Sequence, residues 1–466
     1  MDENRRVSIE VLFYPKTVAV IGATAERKFG QIAFENLLKN KGGIEVIPVN
    51  PKAETILGVK CYPSVKAISG KVDLAVVIVP AKIALQVVSE CVEKGVKAVI
   101  LISGGFSETG PEGKQLEEQV IKAIKGSKTR ILGPNTLGVL MPRNAINTTF
   151  FPEDRFIKPR DGKIAFISQS GASAVAFMET ATFYEVGFSA FVGLGNEADL
   201  TETDFIEYFA EDPGTSVICL YLEKISNGRR FLQVCRRVSR EKSLVVLKAG
   251  RTERGARAAL SHTGSLAGFD KVADGAFKQY GIVRAIDETE LLDYAVALAF
   301  QRPLPGDRIA VLTFGGGAGV IATDLIEASQ HLRMADLPKN VKKKLRDVVA
   351  PFASVNNPVD TTGNITNEQV EKVLKILQEA EGVDGILTIM GLQSVYISLE
   401  LVNLLVKWAR HGSKPMVVVG LGVGLTLEAV RKLMTLGVPA YPTVRRGINA
   451  LEALAQRGKY LERLKA

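Results

Sequence analysis

The chain has 466 residues, 46% of them hydrophobic and 23% charged, with a formal net charge of +9. That length suggests two to four domains, and that composition excludes a disordered chain. No apolar run approaches the roughly 20 residues of a membrane helix, and the opening MDENRRVSIE lacks the apolar core of a signal peptide, so a soluble, cytoplasmic protein is expected.

The positive charge is spread along the chain and is not interleaved with aromatics. Its densest run, VKKKLRD (Val341–Asp347), reads as a solvated helix face. Nucleic acid therefore ranks below an anionic small molecule as the partner of this charge. Cys61, Cys91, Cys219 and Cys235 form no CxxC pair, so neither a zinc site nor a disulfide framework is expected, and no metal site is visible.

In chain order, the first elements are TVAVIGA (Thr17–Ala23), IEVIPVNP (Ile44–Pro51), VDLAVVIVP (Val72–Pro80), VKAVILISGG (Val96–Gly105) and TRILGPNT (Thr129–Thr136). They are short runs rich in Val and Ile, separated by segments with helical periodicity. Continuous apolar strands alternating with helices imply an α/β fold, with a parallel sheet covered on both faces. The pattern restarts at GKIAFISQSGASAVAFME (Gly162–Glu179), after FFPEDRFIKPRDG, and again at RIAVLTFGGGAGVIATDLIEA (Arg308–Ala328), after QRPLPGD. Proline-bearing stretches at these points read as linkers. Three α/β domains are expected, at 1–150, 151–302 and 303–466.

Each opening is a strand, a Gly/Ser loop and a helix with small residues in its first turn. Such units place backbone N–H groups where an anion binds favourably, although glycine-rich turns also occur for packing alone. The first, TVAVIGATAERKFG (Thr17–Gly30), is Rossmann-like but lacks G-x-G-x-x-G. The second run ends Asn50-Pro51-Lys52, with no carboxylate for the ribose of NAD. A lysine there suits a phosphate better than a diol, so a phosphorylated nucleotide other than NAD is expected.

Several motifs now agree in order with one family. VNPK (Val49–Lys52), IVPAK (Ile78–Lys82), ISGGFSE (Ile102–Glu108), GPNTLGV (Gly133–Val139), ISQSGAS (Ile167–Ser173), YLEKI (Tyr221–Ile225), SHTGSLAG (Ser261–Gly268), TFGGGAGV (Thr313–Val320) and NPVDTTGNIT (Asn357–Thr366) are all present. Over nearly its whole length the chain resembles the NDP-forming acyl-CoA synthetases, the superfamily of succinyl-CoA synthetase. Within it the chain looks most like the α subunits of archaeal-type ADP-forming acetyl-CoA synthetases.

The resemblance implies a Rossmann-like CoA-binding domain followed by two flavodoxin-like parallel-sheet domains. It implies CoA binding by Gly22, Ala23, Thr24, Lys28, Asn50, Lys52, Val79, Pro80, Ser103, Gly104 and Asn135. It implies phosphate binding by Ser168, Ser170 and Gly171 in the second domain, and by Gly317, Ala318 and Gly319 in the third. His262 corresponds to the phosphohistidine, and Glu223 to a glutamate that contacts it. The implied reaction is acyl-CoA + ADP + phosphate to acid + ATP + CoA, through an acyl phosphate and then a phosphoryl group on His262. The chain shows no further segment of the size of an ATP-grasp domain, so a separate ATP-grasp β subunit in an α2β2 assembly is implied. Mg2+ would arrive with ADP or ATP on that subunit.

The residue types suit this chemistry. His262 is one of 3 histidines, and it stands among the small residues Thr263, Gly264, Ser265 and Ala267. Phosphoryl transfer asks for positioning and charge stabilisation, and imidazole is a competent nucleophile near neutral pH. A carboxylate such as Glu223 on the other ring nitrogen would fix the tautomer. Small residues allow a loop to approach phosphates closely. A CoA-binding regulatory protein that kept the fold without turnover is the alternative, and an NAD-dependent oxidoreductase is disfavoured by Asn50-Pro51-Lys52.

Overall fold

The computed structural model describes residues 1–39, 43–255 and 270–465. They fall into two compact units, Met1–Thr182 with Gly187–Gln279, and Phe183–Val186 with Tyr280–Ala466. The architecture is α/β, built on parallel sheets.

Among its described residues the first unit contains two large sheets and a two-stranded antiparallel pair, Thr55–Ile56 with Val59–Lys60. In the first sheet the strands run in the order Glu45–Val49, Thr17–Ile21, Leu74–Val77, Ala98–Leu101 and Arg130–Leu132, all parallel. Every residue of Leu74–Val77 and Ala98–Leu101 is buried. Helices on both faces account for this, which is why these strands read as unbroken apolar runs. Helix Ala81–Lys94 buries Ala84, Val88 and Cys91, spaced four and three residues apart along one face, and stops at Gly95 with φ +77°. The chain runs from the Thr17–Ile21 strand to neighbours on both sides, so the loops leaving the carboxyl ends of these strands face a crevice of the kind that holds ligands in open α/β sheets.

The second sheet centres on Asp161–Ser168, with Phe188–Gly193 on one side and Val217–Leu222 then Ser243–Lys248 on the other, all parallel. Its core packs Phe166 against Phe177, ring centroids 4.3 Å apart and ring planes inclined by 36°, with Phe188 and Phe191 alongside. Each such ring, fully buried, contributes about 1.5–3 kcal/mol of transfer free energy. Val139–Met141 pairs antiparallel with Phe188–Gly193, and Ile146–Asn147 pairs with Val139–Met141. The second sheet therefore takes its edge from residues before 150.

The second unit holds one parallel sheet in the order Arg333–Met334, Arg308–Thr313, Gly385–Met390, Met416–Gly420 and Ala440–Tyr441; Val359–Asp360 also pairs with Arg308–Thr313. Helix Glu288–Phe300 belongs to this unit. Its buried Asp293 receives Nε and Nη2 of Arg446 at 2.8–3.1 Å, and Tyr441 donates its hydroxyl to the Asp293 carbonyl at 2.8 Å. Among the described residues no helix is long and apolar enough to cross a membrane. All four cysteines are free and buried.

Candidate active site

The first loop is shaped by packing. Gly22 has φ +92°, and a Cβ on it would stand 2.1 Å from the Ile78 carbonyl oxygen. A Cβ on Gly30 would stand 2.1 Å from the carbonyl oxygen of Gly22. Only glycine lets the two crossings close this tightly. Ala23 is buried, and its carbonyl accepts Asn50 Nδ2 at 2.8 Å. Asn50 Oδ1 takes the Lys52 N–H at 2.9 Å, so Asn50 ties the first βα loop to the turn after the second strand. Thr24 Oγ1 accepts the Glu26 N–H at 3.2 Å, and Lys28 pairs with Glu26 on the exposed surface.

Next to this loop lies a cavity of about 480 Å³. Its wall includes Val79, Pro80, Ser103, Gly104, Asn135, Ser170 and Gly171, which were expected in two separate roles. Phe29 and Phe150, with centroids 4.4 Å apart, line it too. The Ser103 hydroxyl donates to the Val79 carbonyl, and the Asn135 N–H donates to the Ser103 carbonyl at 2.9 Å, so three loops are locked together. Gly104 has no room to spare: a Cβ there would lie 3.1 Å from Glu108 Oε1 and 3.2 Å from Asn135 Oδ1. Glu108 also takes the N–H groups of Gly105 and Phe106. Burial disfavours its charged form, but these donors and the Asn196 amide outweigh that and hold the carboxyl below its ordinary value.

The helix Gly171–Phe183 begins at this cavity. Ser170 Oγ accepts the Ser173 N–H at 3.4 Å, a weak cap that leaves the first-turn N–H groups of Gly171 and Ala172 at the cavity wall. Ser168 is 1% exposed, and its hydroxyl donates to the Ser170 carbonyl at 2.8 Å while accepting the Ser170 N–H at 3.2 Å. Its observed bonds shape the loop.

Glu223, 8% exposed, follows the neighbouring strand Val217–Leu222. Its N–H donates to Gln169 Oε1 at 2.6 Å, and its carbonyl accepts Lys248 Nζ at 2.9 Å. Gln169 lines the cavity, so the Glu223 backbone is one side chain away from it. His262 lies outside the described residues.

Gly317, Ala318 and Gly319 fall in the first turn of helix Gly316–Glu327 in the second unit. A Cβ on Gly317 would meet open space, whereas one on Gly319 would lie 3.0 Å from Thr313 Cγ2. A Cβ on Gly316 would lie 2.8 Å from Asp360 Oδ2. A smaller cavity of about 230 Å³ opens beside this helix, walled by Phe314, Ile365, Ile389, Met390, Ile397 and Leu421 among others.

Gln169, Asn196 and Glu197 belong to this constellation, and sequence reasoning does not single them out. Gln169 stands inside ISQSGAS, where its small neighbours carry the phosphate signal. Asn196 and Glu197 follow Gly195 in an ordinary polar loop, and no spacing signals what they reach. Among the described residues no group of three His, Cys, Asp or Glu side chains could hold a metal ion.

Three family models match the chain: a CoA binding domain over residues 16–142, a succinyl-CoA ligase like flavodoxin domain over 161–298, and a ligase-CoA domain over 309–460. The chain is 40% identical to the acetate–CoA ligase [ADP-forming] I subunit alpha of Pyrococcus furiosus, covering 97% of this chain and 98% of that one. It is 39% identical to the acetate–CoA ligase [ADP-forming] I of Archaeoglobus fulgidus, covering 97% of this chain and 64% of that one. The solved structure of Ca. Korarchaeum cryptofilum dinucleotide forming acetyl-coenzyme A synthetase 1, in complex with phosphate and ADP, matches with a TM-score of 0.90 at 37% identity, over 99% of each chain.

Proposed function

The chain belongs to the family of ADP-forming acyl-CoA ligases related to succinyl-CoA ligase, and from that premise we propose that it is the α subunit of an ADP-forming acetyl-CoA or acyl-CoA synthetase. The observation that carries the reading is the cavity of about 480 Å³ in which Val79, Pro80, Ser103, Gly104 and Asn135 meet Ser170 and Gly171. A thioester and the phosphate that attacks it must share one space, and this one joins the expected CoA loops to a helix start.

In this reading Gly22, Ala23, Thr24, Lys28, Asn50 and Lys52 form the outer part of the CoA site. Phosphate lies at the N–H groups of the helix beginning at Gly171 and attacks the acyl carbon, CoA leaves as the thiol, and an acyl phosphate forms. Preorganised N–H donors stabilise the oxyanion charge without adding bulk. His262 then takes the phosphoryl group and the acid departs. Glu223 holds the imidazole in the tautomer that leaves the attacking nitrogen unprotonated. Gly317, Ala318 and Gly319 receive the phosphoryl oxygens in the third domain. The division into domains at 1–150, 151–302 and 303–466 is part of the proposal, as is a cytoplasmic setting.

The phosphoryl group passes finally to ADP on a separate ATP-grasp β subunit, where Mg2+ accompanies the nucleotide, in an α2β2 assembly. The name of the Pyrococcus furiosus relative, a subunit alpha, supports a partner chain. The phosphate and ADP in the complex of the Korarchaeum enzyme support those two substrates.

The test is to incubate the chain with acetyl-CoA, or other acyl-CoAs, and labelled phosphate, beside His262→Ala. The expected result is acid-labile, base-stable label on the wild type and none on the variant. CoA binding without label from any acyl-CoA, with a β subunit supplied, would overturn the reading in favour of a CoA-binding regulator.

A further inference from the structure

Asn196 and Glu197 stand side by side on the loop after strand Phe188–Gly193 and reach in opposite directions. Asn196 Nδ2 lies 2.6 Å from Glu108 Oε2, 2.9 Å from Glu117 Oε2 and 3.1 Å from Ser107 Oγ. Asn196 Oδ1 accepts Asn135 Nδ2 at 3.4 Å. Asn135 lines the larger cavity, Ser107 and Glu108 follow its lining residues Ser103 and Gly104 in the chain, and Glu117 stands on helix Pro111–Ile124. On the other side, the Asn196 carbonyl accepts Lys224 Nζ at 3.0 Å, and Glu197 Oε2 accepts Gln169 Nε2 at 2.8 Å. Gln169 Oε1 takes the N–H groups of Glu223 and Lys224 at 2.6 and 2.9 Å.

We propose that Asn196 and Glu197 are positioning residues that hold the Glu223 backbone in register with the acyl-CoA loops. The inference rests on the phosphoryl-relay reading given above. An amide side chain has an acceptor face and a donor face. Gln169 must turn its oxygen to the two N–H groups at Glu223 and Lys224, which leaves its nitrogen toward Glu197. An accepting carboxyl oxygen at Glu197 keeps that orientation. Gln169 Nε2 also donates to the Lys224 carbonyl at 2.9 Å, so without Glu197 the amide keeps one of its two acceptors and its hold on the Glu223 and Lys224 N–H groups loosens. Asn196 makes the same loop answer to Glu108 and Asn135.

The setting of Glu197 is unfavourable by itself. It is 6% exposed, has φ +56°, and its Oε1 accepts the Glu202 N–H at 3.0 Å, with the buried Glu202 carboxyl beside it. Burial first, and then the Glu202 charge, push the Glu197 carboxyl up, against the pull of Lys224. A left-handed, non-glycine, buried carboxyl persists where its surroundings over-determine it, and such positions concentrate at working sites.

The full chain is compared with Glu197→Ala, Glu197→Gln and Gln169→Leu by three measurements: amide hydrogen exchange at Glu223 and Lys224, calorimetric CoA affinity, and the rate of phosphate labelling from acyl-CoA. In Glu197→Ala and Gln169→Leu, exchange at the two amides rises about tenfold and labelling slows about tenfold or more, the scale expected when one buried hydrogen bond is lost. In Glu197→Ala, whose side chain does not line the cavity, CoA affinity stays within about twofold, the split that separates positioning from general loss of structure. Glu197→Gln recovers part of the labelling rate. If Glu197→Ala fails to fold, Gln169→Leu decides, because it cuts the same chain of bonds without removing a charge. Label at equal rates on wild type and folded variants, or unchanged exchange at the two amides, overturns this inference alone. A wild type that takes no label from any acyl-CoA overturns the functional reading and this inference with it.

Discussion

The turn at Ser168 and the turn at Thr313 close in the same way. In each, a hydroxyl donates to the carbonyl two residues on at 2.8 Å and accepts that residue's N–H at 3.2 Å. A helix then starts on glycine, at Gly171 in one case and Gly316 in the other. What surrounds the two starts differs. Gly171 faces Leu137, whose nearest atom would be 3.4 Å from an added Cβ, and opens on a cavity lined by Ser103, Gly104 and Asn135. Gly316 faces a carboxylate oxygen of Asp360, 2.8 Å from an added Cβ, beside a smaller and more apolar cavity. Two or three residues set the turn, but distant parts of the chain decide whether its positive end meets a carboxylate or an open space.

The sharpest way to break this contrast is to give the first turn the carboxylate that the second has. Ser170→Asp keeps a good helix cap, so the melting temperature should hold or rise slightly. The added charge sits where phosphate is proposed to bind, and labelling should fall about 100-fold or more, the order seen when one transition-state donor is lost. Undiminished labelling would remove phosphate from that helix start.

The next effect is on stability. Gly316→Ala must turn the Asp360 carboxylate aside and is expected to cost about 1 kcal/mol. Gly171→Ala meets only ordinary contact with Leu137 and should stay within about 0.5 kcal/mol in chemical denaturation. Equal losses at the two sites would mean that the difference around them has no energetic content.

The smallest prediction concerns what the turns share. Ser168→Ala and Thr313→Val each remove a reciprocal pair of hydrogen bonds, and each should lose about 1 kcal/mol. Melting curves that separate the two variants widely would show that the matching distances hide unequal burial.

Much of the fold was legible because its signals are short-range. Leu74–Val77 and Ala98–Leu101 read as strands from their Val and Ile content alone, and the small residues after Ser168 and Thr313 marked helix starts. The edge of the second sheet was not legible. Val139–Met141 and Ile146–Asn147 follow GPNTLGV closely and read as the tail of the first domain, yet they pair antiparallel into the second. A strand's length and apolarity do not name its neighbour. Similarly, Glu288–Phe300 reads as the end of the middle domain, and its Asp293 is held by Arg446, 153 residues later.

The candidate site divides along the same line. The glycines at 22 and 30 and the small-residue loop before Gly171 were visible by themselves, because each answers to local backbone geometry, whereas Glu223 and the phosphate roles of Ser168 and Ser170 were marked by the resemblance of short motifs to a family. That Ser170 and Gly171 share a cavity with Val79 and Asn135 was decided by tertiary structure. So was the bridge in which Asn196 reaches Glu108, 88 residues away, while Glu197 holds Gln169 from the other side. Periodicity and turn chemistry are written in neighbouring residues. Hydrogen bonds between loops depend on how the sheets that carry them pack, and a single polar side chain in a loop leaves no pattern from which that packing can be read.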